Sequence, residues 1–176
     1  MELKRRIRNA LESSDATSPA QCFEDILQWC SPGGLRSSEG NLSVIIFVVL
    51  KCMRFTVDRE LTESEGRMDL FVALEEKKAF VFEIKHECFP ENVNNLTAEQ
   101  KIEREAMTAE KLIVEANEQI DRGRYDSKYR SMYPEVKNAA MAIAGHTGVL
   151  IKFIDPKENL YEKHDFPKDN PPTADS

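Results

Sequence analysis

A chain of 176 residues is long enough to bury a hydrophobic core without disulfide or metal staples, and it suits one domain with an N-terminal extension. Its hydrophobic fraction of 41% is that of a globular protein, and no apolar run reaches the roughly 18 residues of a membrane helix, which sets the expectation of an intracellular protein with no signal peptide. With 31 acidic and 24 basic residues the net charge is -7, the wrong sign for holding nucleic acid by bulk charge, so any such contact must be local.

Leu3, Ile7 and Leu11 stand at helical spacing and predict a short first helix that ends in the polar stretch Ser13 to Ser18. Ser18 as a cap and Pro19 at the first helical position open a second, whose face is Phe23, Ile26, Leu27 and Cys30, and Ser31-Pro32-Gly33-Gly34 closes it. These helices read as an accessory layer, residues 1–36. Asn41 to Phe55 is apolar nearly all round. Its β-branched content would suit a strand, but about 15 residues exceeds a usual strand and predicts a buried helix.

Three strands follow, over Phe55 to Thr62, Arg67 to Leu74 and Ala79 to His86, the last two joined by the charged turn Glu75-Glu76-Lys77-Lys78. Thr97 to Gly123 is a long helix with the stripe Ile102, Ala106, Ala109, Leu112, Ile113, Ala116 and Ile120. Ala139 to Gly145 and Val149 to Ile154 are two more strands about a His146-Thr147-Gly148 turn. From residue 156 the chain reads as a flexible tail, which leaves 37–155 as the main domain. The order predicts an α/β architecture in which helices cover a sheet. The four cysteines, Cys22, Cys30, Cys52 and Cys88, lack zinc-site spacing and read as free thiols. No Walker-type GxxxxGK phosphate loop occurs.

Strand alternation carries the functional argument. Met68, Leu70, Val72 and Leu74 fall on one face of the second strand and Asp69, Phe71 and Ala73 on the other. On the third, Phe80, Phe82, Ile84 and His86 oppose Ala79, Val81, Glu83 and Lys85. Pairing the two large-apolar faces gathers Asp69, Glu83 and Lys85 on the remaining one, and requires an odd-length turn or a bulge. Two nearby carboxylates favour a hard dication, Mg²⁺ with Mn²⁺ as substitute, and the Ile84 backbone carbonyl can add an oxygen. A lysine beside them suits phosphodiester hydrolysis, because an ammonium orients water and offsets charge building on the phosphate. The competing explanation is a plain solvent-facing ion pair. Gln119, three residues after Ala116 and seven after Leu112, points toward the buried side of the long helix. Basic clusters at Lys4, Arg5, Arg6 and Arg8 and at Arg122, Arg124, Lys128 and Arg130 could offer local positive charge, and ordinary solvated surface charge explains each equally well.

The strings GRMDLFVALEEKKAFVFEIKH, EANEQIDRGRYDSKY and AAMAIAGHTGVLIKF together resemble the PD-(D/E)XK nuclease superfamily, in the branch often found with AAA-type ATPase modules. The resemblance implies a restriction-endonuclease-like core of helix, three-strand meander, long helix and two strands around a mixed sheet. It also implies a metal-dependent nuclease, most of all a DNA endonuclease, with an ATPase or other protein as a possible partner and no membrane. Carried onto this chain, it makes Asp69 and Glu83 the metal ligands, Glu39 a third, Lys85 the catalytic lysine, and Gln119 part of the catalytic set. Arg67, following Gly66, and Tyr125 and Tyr129 become substrate contacts, to which the second basic cluster adds Arg122 and Arg124 by charge alone. Where the branch carries an aromatic-His pair in its first core helix, this chain has Leu42-Ser43. The alternative reading is a catalytically silent nuclease-fold module that acts through contacts.

Overall fold

The structure is a computed structural model that describes residues 2–13, 15–30, 39–59, 62–63, 66–89, 96–123, 129–145 and 148–154. Of Glu39, Gly40, Thr62, Glu63, Gly66 and Arg67 only the backbone is described, and the expected tail lies outside these residues. The elements are α1 (Glu2–Glu12), α2 (Thr17–Cys30), α3 (Glu39–Cys52), β1 (Thr56–Arg59), β2 (Thr62–Glu63), β3 (Gly66–Arg67), β4 (Leu70–Leu74), β5 (Lys78–Glu87), α4 (Ala98–Gly123), β6 (Glu135–Ala144) and β7 (Gly148–Ile154). Five strands form one mixed sheet in the order β1-β4-β5-β6-β7, in which only β5 and β6 run parallel, while β2 and β3 form a separate two-stranded ribbon. The expected α/β plan of helices flanking a mixed sheet is the one observed.

The hairpin of β4 and β5 sets the register of everything else. Leu70 pairs with Phe82 and Leu74 with Lys78, so the connection is the three-residue turn Glu75-Glu76-Lys77, odd in length and without a bulge. Glu75 takes a left-handed backbone (φ 55°), which a non-glycine residue adopts only in such tight connections. With this register Leu70, Val72, Leu74, Phe80, Phe82 and Ile84 share one face, where α1, α2 and α3 cover them. The opposite face carries Phe71, Ala73, Ala79 and Val81 under the short 3₁₀ turn Tyr129–Ser131, and Ala140, Ala142 and Ala144 under α4.

Helices α1 and α2 contribute Ile7, Leu11, Phe23, Ile26 and Leu27 to the same core as the strands, and the Phe23 ring meets Phe82 edge-on at 5.9 Å. The layer expected to be accessory is therefore continuous with the main core. α3 is a helix, as its length required. Leu42, Ile46 and Leu50 form its fully buried stripe, while Val48 is exposed, so it lies on the core rather than within it. No helix among the described residues is long and apolar enough to cross a membrane.

Several boundaries differ from the sequence reading, each for a physical reason. Asp15, not Ser18, caps α2: its carboxylate accepts the Thr17 backbone N–H at 3.0 Å and the Ser18 hydroxyl at 3.0 Å. β4 begins at Leu70 because the chain bends at Asp69, and this moves Met68 off the Leu70 face and into the cluster with Phe71. β6 begins at Glu135, four residues before the expected Ala139, with the Glu135 N–H bonded to the Lys77 carbonyl. Ile102, predicted on the buried stripe, is exposed because α4 outlasts the sheet beneath it, and its buried residues begin only at Ala109. All four cysteines are free thiols, and burial pushes the Cys22 thiol up.

Truncating Phe23 to alanine removes a fully buried ring that joins α2 to the sheet. The expected cost is about 3–5 kcal/mol, read from the midpoint and slope of a urea denaturation curve. The Thr17 and Ser18 hydrogen bonds hold the Asp15 carboxyl below its usual range. The cap's stabilisation is thus complete above the ordinary carboxylate range and fades as pH falls through the depressed value. Asp15→Ala should flatten that part of the pH–melting profile.

Candidate active site

β5 continues past β4. Its residues from Glu83 to Glu87 pair with Ala140 to Ala144 of β6, but no described strand pairs with them on the β4 side. The next rung of the β4–β5 ladder would bring the Met68 carbonyl to the Ile84 N–H. Because the chain bends at Asp69, the Asp69 carboxylate takes that N–H instead, at 2.8 Å through Oδ2. A hydrogen-bonded residue of an antiparallel pair aims both its N–H and its C=O at the same neighbour. The Ile84 carbonyl therefore faces the same side as Asp69. The sequence thus places a carboxylate and a main-chain carbonyl where the sheet loses a strand.

Glu83 is fully buried, a rare state for a carboxylate that demands a charged or hydrogen-bonding partner. Lys85, two residues along the same face of β5, donates from Nζ to Glu83 Oε1 at 2.8 Å. The lysine side chain is 18% exposed, so it links the fully buried carboxylate to solvent. Apolar Val81 and Ala140 beside the pair keep its dielectric low, which strengthens the attraction and raises the penalty for losing one partner.

Gln119 comes to this level through α4. Lys111 of α4 pairs with Glu87 at 3.4 Å, and the Glu105 carboxylate lies beside Gly145 and Gly148 at the far end of β6 and β7, so α4 runs opposite to β5. Eight residues beyond Lys111 is a rise of about 12 Å. That distance spans three to four strand residues at about 3.3 Å each and brings Gln119 level with Glu83. Lys111, Glu115 and Gln119 fall on one helical stripe, and Gln119 is half-buried.

The other expected residues divide into three groups. Arg122 is exposed in the last turn of α4, its Nε donating to the Glu118 carbonyl at 3.1 Å, and Arg130 is exposed in the 3₁₀ turn on the same face of the sheet. Tyr129 is buried with its ring stacked on Phe71 at 4.1 Å, a placement that suits packing beneath the site rather than contact with a substrate. Glu39 and Arg67 are placed by backbone alone, at the start of α3 and in β3 opposite Thr62, and Arg124 and Tyr125 lie outside the described residues. The N-terminal basic cluster is engaged within the molecule. Arg6 pairs with Asp25 at 2.7 Å, Arg8 with Glu75 at 3.1 Å, and Lys4 lies over the Phe55 ring at 5.5 Å. α1 also covers the face opposite Glu83.

Among the described residues no group of three or more His, Cys, Asp or Glu side chains is placed to hold a metal ion. Two carboxylates and a main-chain carbonyl on adjoining backbone do form a hard-oxygen donor set. A carboxylate offers about four lone-pair positions, so the hydrogen bonds to Asp69 and Glu83 leave capacity for a cation. Such a set fits Mg²⁺, which keeps several waters and needs only one or two protein carboxylates.

Sequence reasoning missed Asn138. Ser43, Glu83 and Asn138 are the buried polar or charged side chains among the described residues, and Asn138 stands on the Glu83 face of the neighbouring strand. Alternation backwards from Ala140 through Asn138 to Val136 would have revealed it, had the strand been started at Glu135.

Lys85→Met should destabilise the protein by about 3–5 kcal/mol at neutral pH, because it takes the ammonium away from a fully buried carboxylate. A Glu83→Gln/Lys85→Met double variant should recover a large part of that loss in the same denaturation measurement. Equal stability of the Lys85→Met and wild-type proteins would show that the contact is not a buried ion pair.

A family model for the PD-(D/E)XK nuclease superfamily matches residues 37–153 of the chain. No curated protein and no solved structure matches it.

Proposed function

The chain belongs to the PD-(D/E)XK nuclease superfamily, and from that membership together with the Asp69–Glu83–Lys85 geometry we propose that it is a dication-dependent endonuclease acting on DNA. The observation that carries this reading is the Asp69 carboxylate seated on the Ile84 N–H, next to the buried Glu83, at the end of the β4–β5 ladder. Asp69, Glu83 and the Ile84 carbonyl would hold Mg²⁺, or Mn²⁺ in its place, and Glu39 at the start of α3 is a further candidate ligand. When bound, the cation supplies Lewis acidity at the scissile phosphodiester.

Lys85 has two tasks. Without a dication its ammonium neutralises Glu83. With Glu83 engaged elsewhere, the ammonium turns to the open side of β5, where it orients the attacking water and offsets charge on the phosphoryl oxygens. Gln119, level with Glu83, orients the lysine or a phosphate oxygen. Arg122 and Arg130, with Arg124, Tyr125 and Arg67 as further candidates, hold the backbone of the nucleic acid by local positive charge on a chain whose net charge is -7.

A second reading is a silent nuclease-fold module that acts through contacts, with an ATPase or another protein as its partner. It is favoured by the Glu83–Lys85 contact, which balances the charge of the buried carboxylate with no cation at all.

Calorimetry with Mn²⁺ separates the two. The wild type should bind, and Asp69→Asn, which keeps an oxygen acceptor for the Ile84 N–H, should fold with near-native stability and lose most of that binding. A supercoiled plasmid should be nicked by the wild type in Mg²⁺ or Mn²⁺, with Lys85→Ala slower by about two orders of magnitude or more. Equal nicking by Lys85→Ala would overturn the assignment of the lysine, and absence of cation binding by the wild type would favour the silent module.

A further inference from the structure

On the α4 side of the sheet the apolar contacts break into two clusters. One contains Val81 and Val136, the other Ala140, Ala142 and the buried stripe of α4. The side chains in the break are Glu83, next after Val81 on that face of β5, and Asn138, between Val136 and Ala140 on β6. Val81 pairs with Asn138 and Glu83 with Ala140, so the two polar residues are diagonal neighbours, their Cα atoms about 8 Å apart by strand spacing.

Asn138 is only 8% exposed, and its Oδ1 is buried with no hydrogen-bond partner among the described residues. The fold gains nothing from this. Asparagine is a poor strand residue, and an acceptor removed from water and left unmet is costly. A buried acceptor of this kind calls for an explanation, and a donor that arrives with a ligand is one. Mg²⁺ dehydrates reluctantly and keeps several waters, whose hydrogens all point away from the ion. An amide oxygen on the strand next to a liganding carboxylate, and on the same face, is a suitable acceptor for one of them.

We infer that Asn138 is a positioning residue of the cation site, its buried amide oxygen accepting a hydrogen bond from a water in the hydration shell of the dication that Asp69 and Glu83 hold. This rests on the cation reading above and extends it to a residue on a third strand. Asn138 would then act at one remove, from β6, the strand that flanks β5 on the side away from β4.

Asn138→Val and Asn138→Thr are nearly the same shape and differ by a hydroxyl oxygen, and both suit a strand. In the absence of cation, Asn138→Val should melt at or above the wild-type temperature, since it removes an unmet acceptor. Its Mn²⁺ affinity by calorimetry should be weaker by about tenfold or more, the usual effect of losing an outer-shell partner. Asn138→Thr should recover part of that loss. A valine variant that binds Mn²⁺ as the wild type does, or that melts below it without cation, overturns the inference, as does a threonine variant no better than valine. A wild type that takes up no Mn²⁺ overturns the cation reading itself. Wild-type uptake with unchanged affinity in Asn138→Val overturns this inference alone.

Discussion

The pairing of Leu70 with Phe82 is the constraint on which the rest of the molecule turns. It brings Leu70, Val72, Leu74, Phe80, Phe82 and Ile84 under the three N-terminal helices, and the same register leaves Asp69 at the ladder's end with its carboxylate on the Ile84 N–H. A strand's side chains alternate strictly, so shifting the pairing by one residue would exchange the two faces. Core and site are therefore not independent achievements of the sequence. The free energy that buries Phe82 and Phe80 is also what holds the acidic residues in place, and a site assembled this way needs little stabilisation of its own.

β5 is the spine of this arrangement. It pairs antiparallel to β4 over its first half and parallel to β6 over its whole length, and so passes from the middle of the sheet to a partly open edge within ten residues. Glu83 lies at that transition, enclosed by neighbours, and Lys85 lies just beyond it, partly exposed. The change in environment along three residues gives one carboxylate a dry setting and one ammonium access to solvent. Two groups of opposite charge thereby meet different surroundings on one strand.

Much of this was legible in the sequence because alternation is a strong signal in hydrophobic strands. The pattern from Leu70 to Leu74 and from Phe80 to Ile84 specified which residues face the helices, and the length of the Asn41–Phe55 run identified a helix despite its β-branched content. Local departures from regularity were not legible. The bend at Asp69 sent Met68 to the other face, against alternation. The polar start of β6, Glu135 to Asn138, looks like a loop until its partner strand is known, because Lys78 and Lys77 supply the contacts that make it a strand. That hid Asn138. Ile102 matches the buried stripe in every respect except that no sheet lies beneath it, a fact of tertiary reach that no periodicity contains.

The alanines of β6 have a further meaning. Ala140, Ala142 and Ala144 present only methyl groups to α4, and the helix rests on them through Ala109 and Ala116 as well as larger residues. Small against small makes this contact a shim of fixed thickness, and Gln119 rides on the helix it supports. A single added methylene at Ala140 would tilt α4 like a lever and carry Gln119 away from Glu83, with no chemical group of the site altered. In this fold the gauge of the candidate site is set by residues that have no chemistry at all.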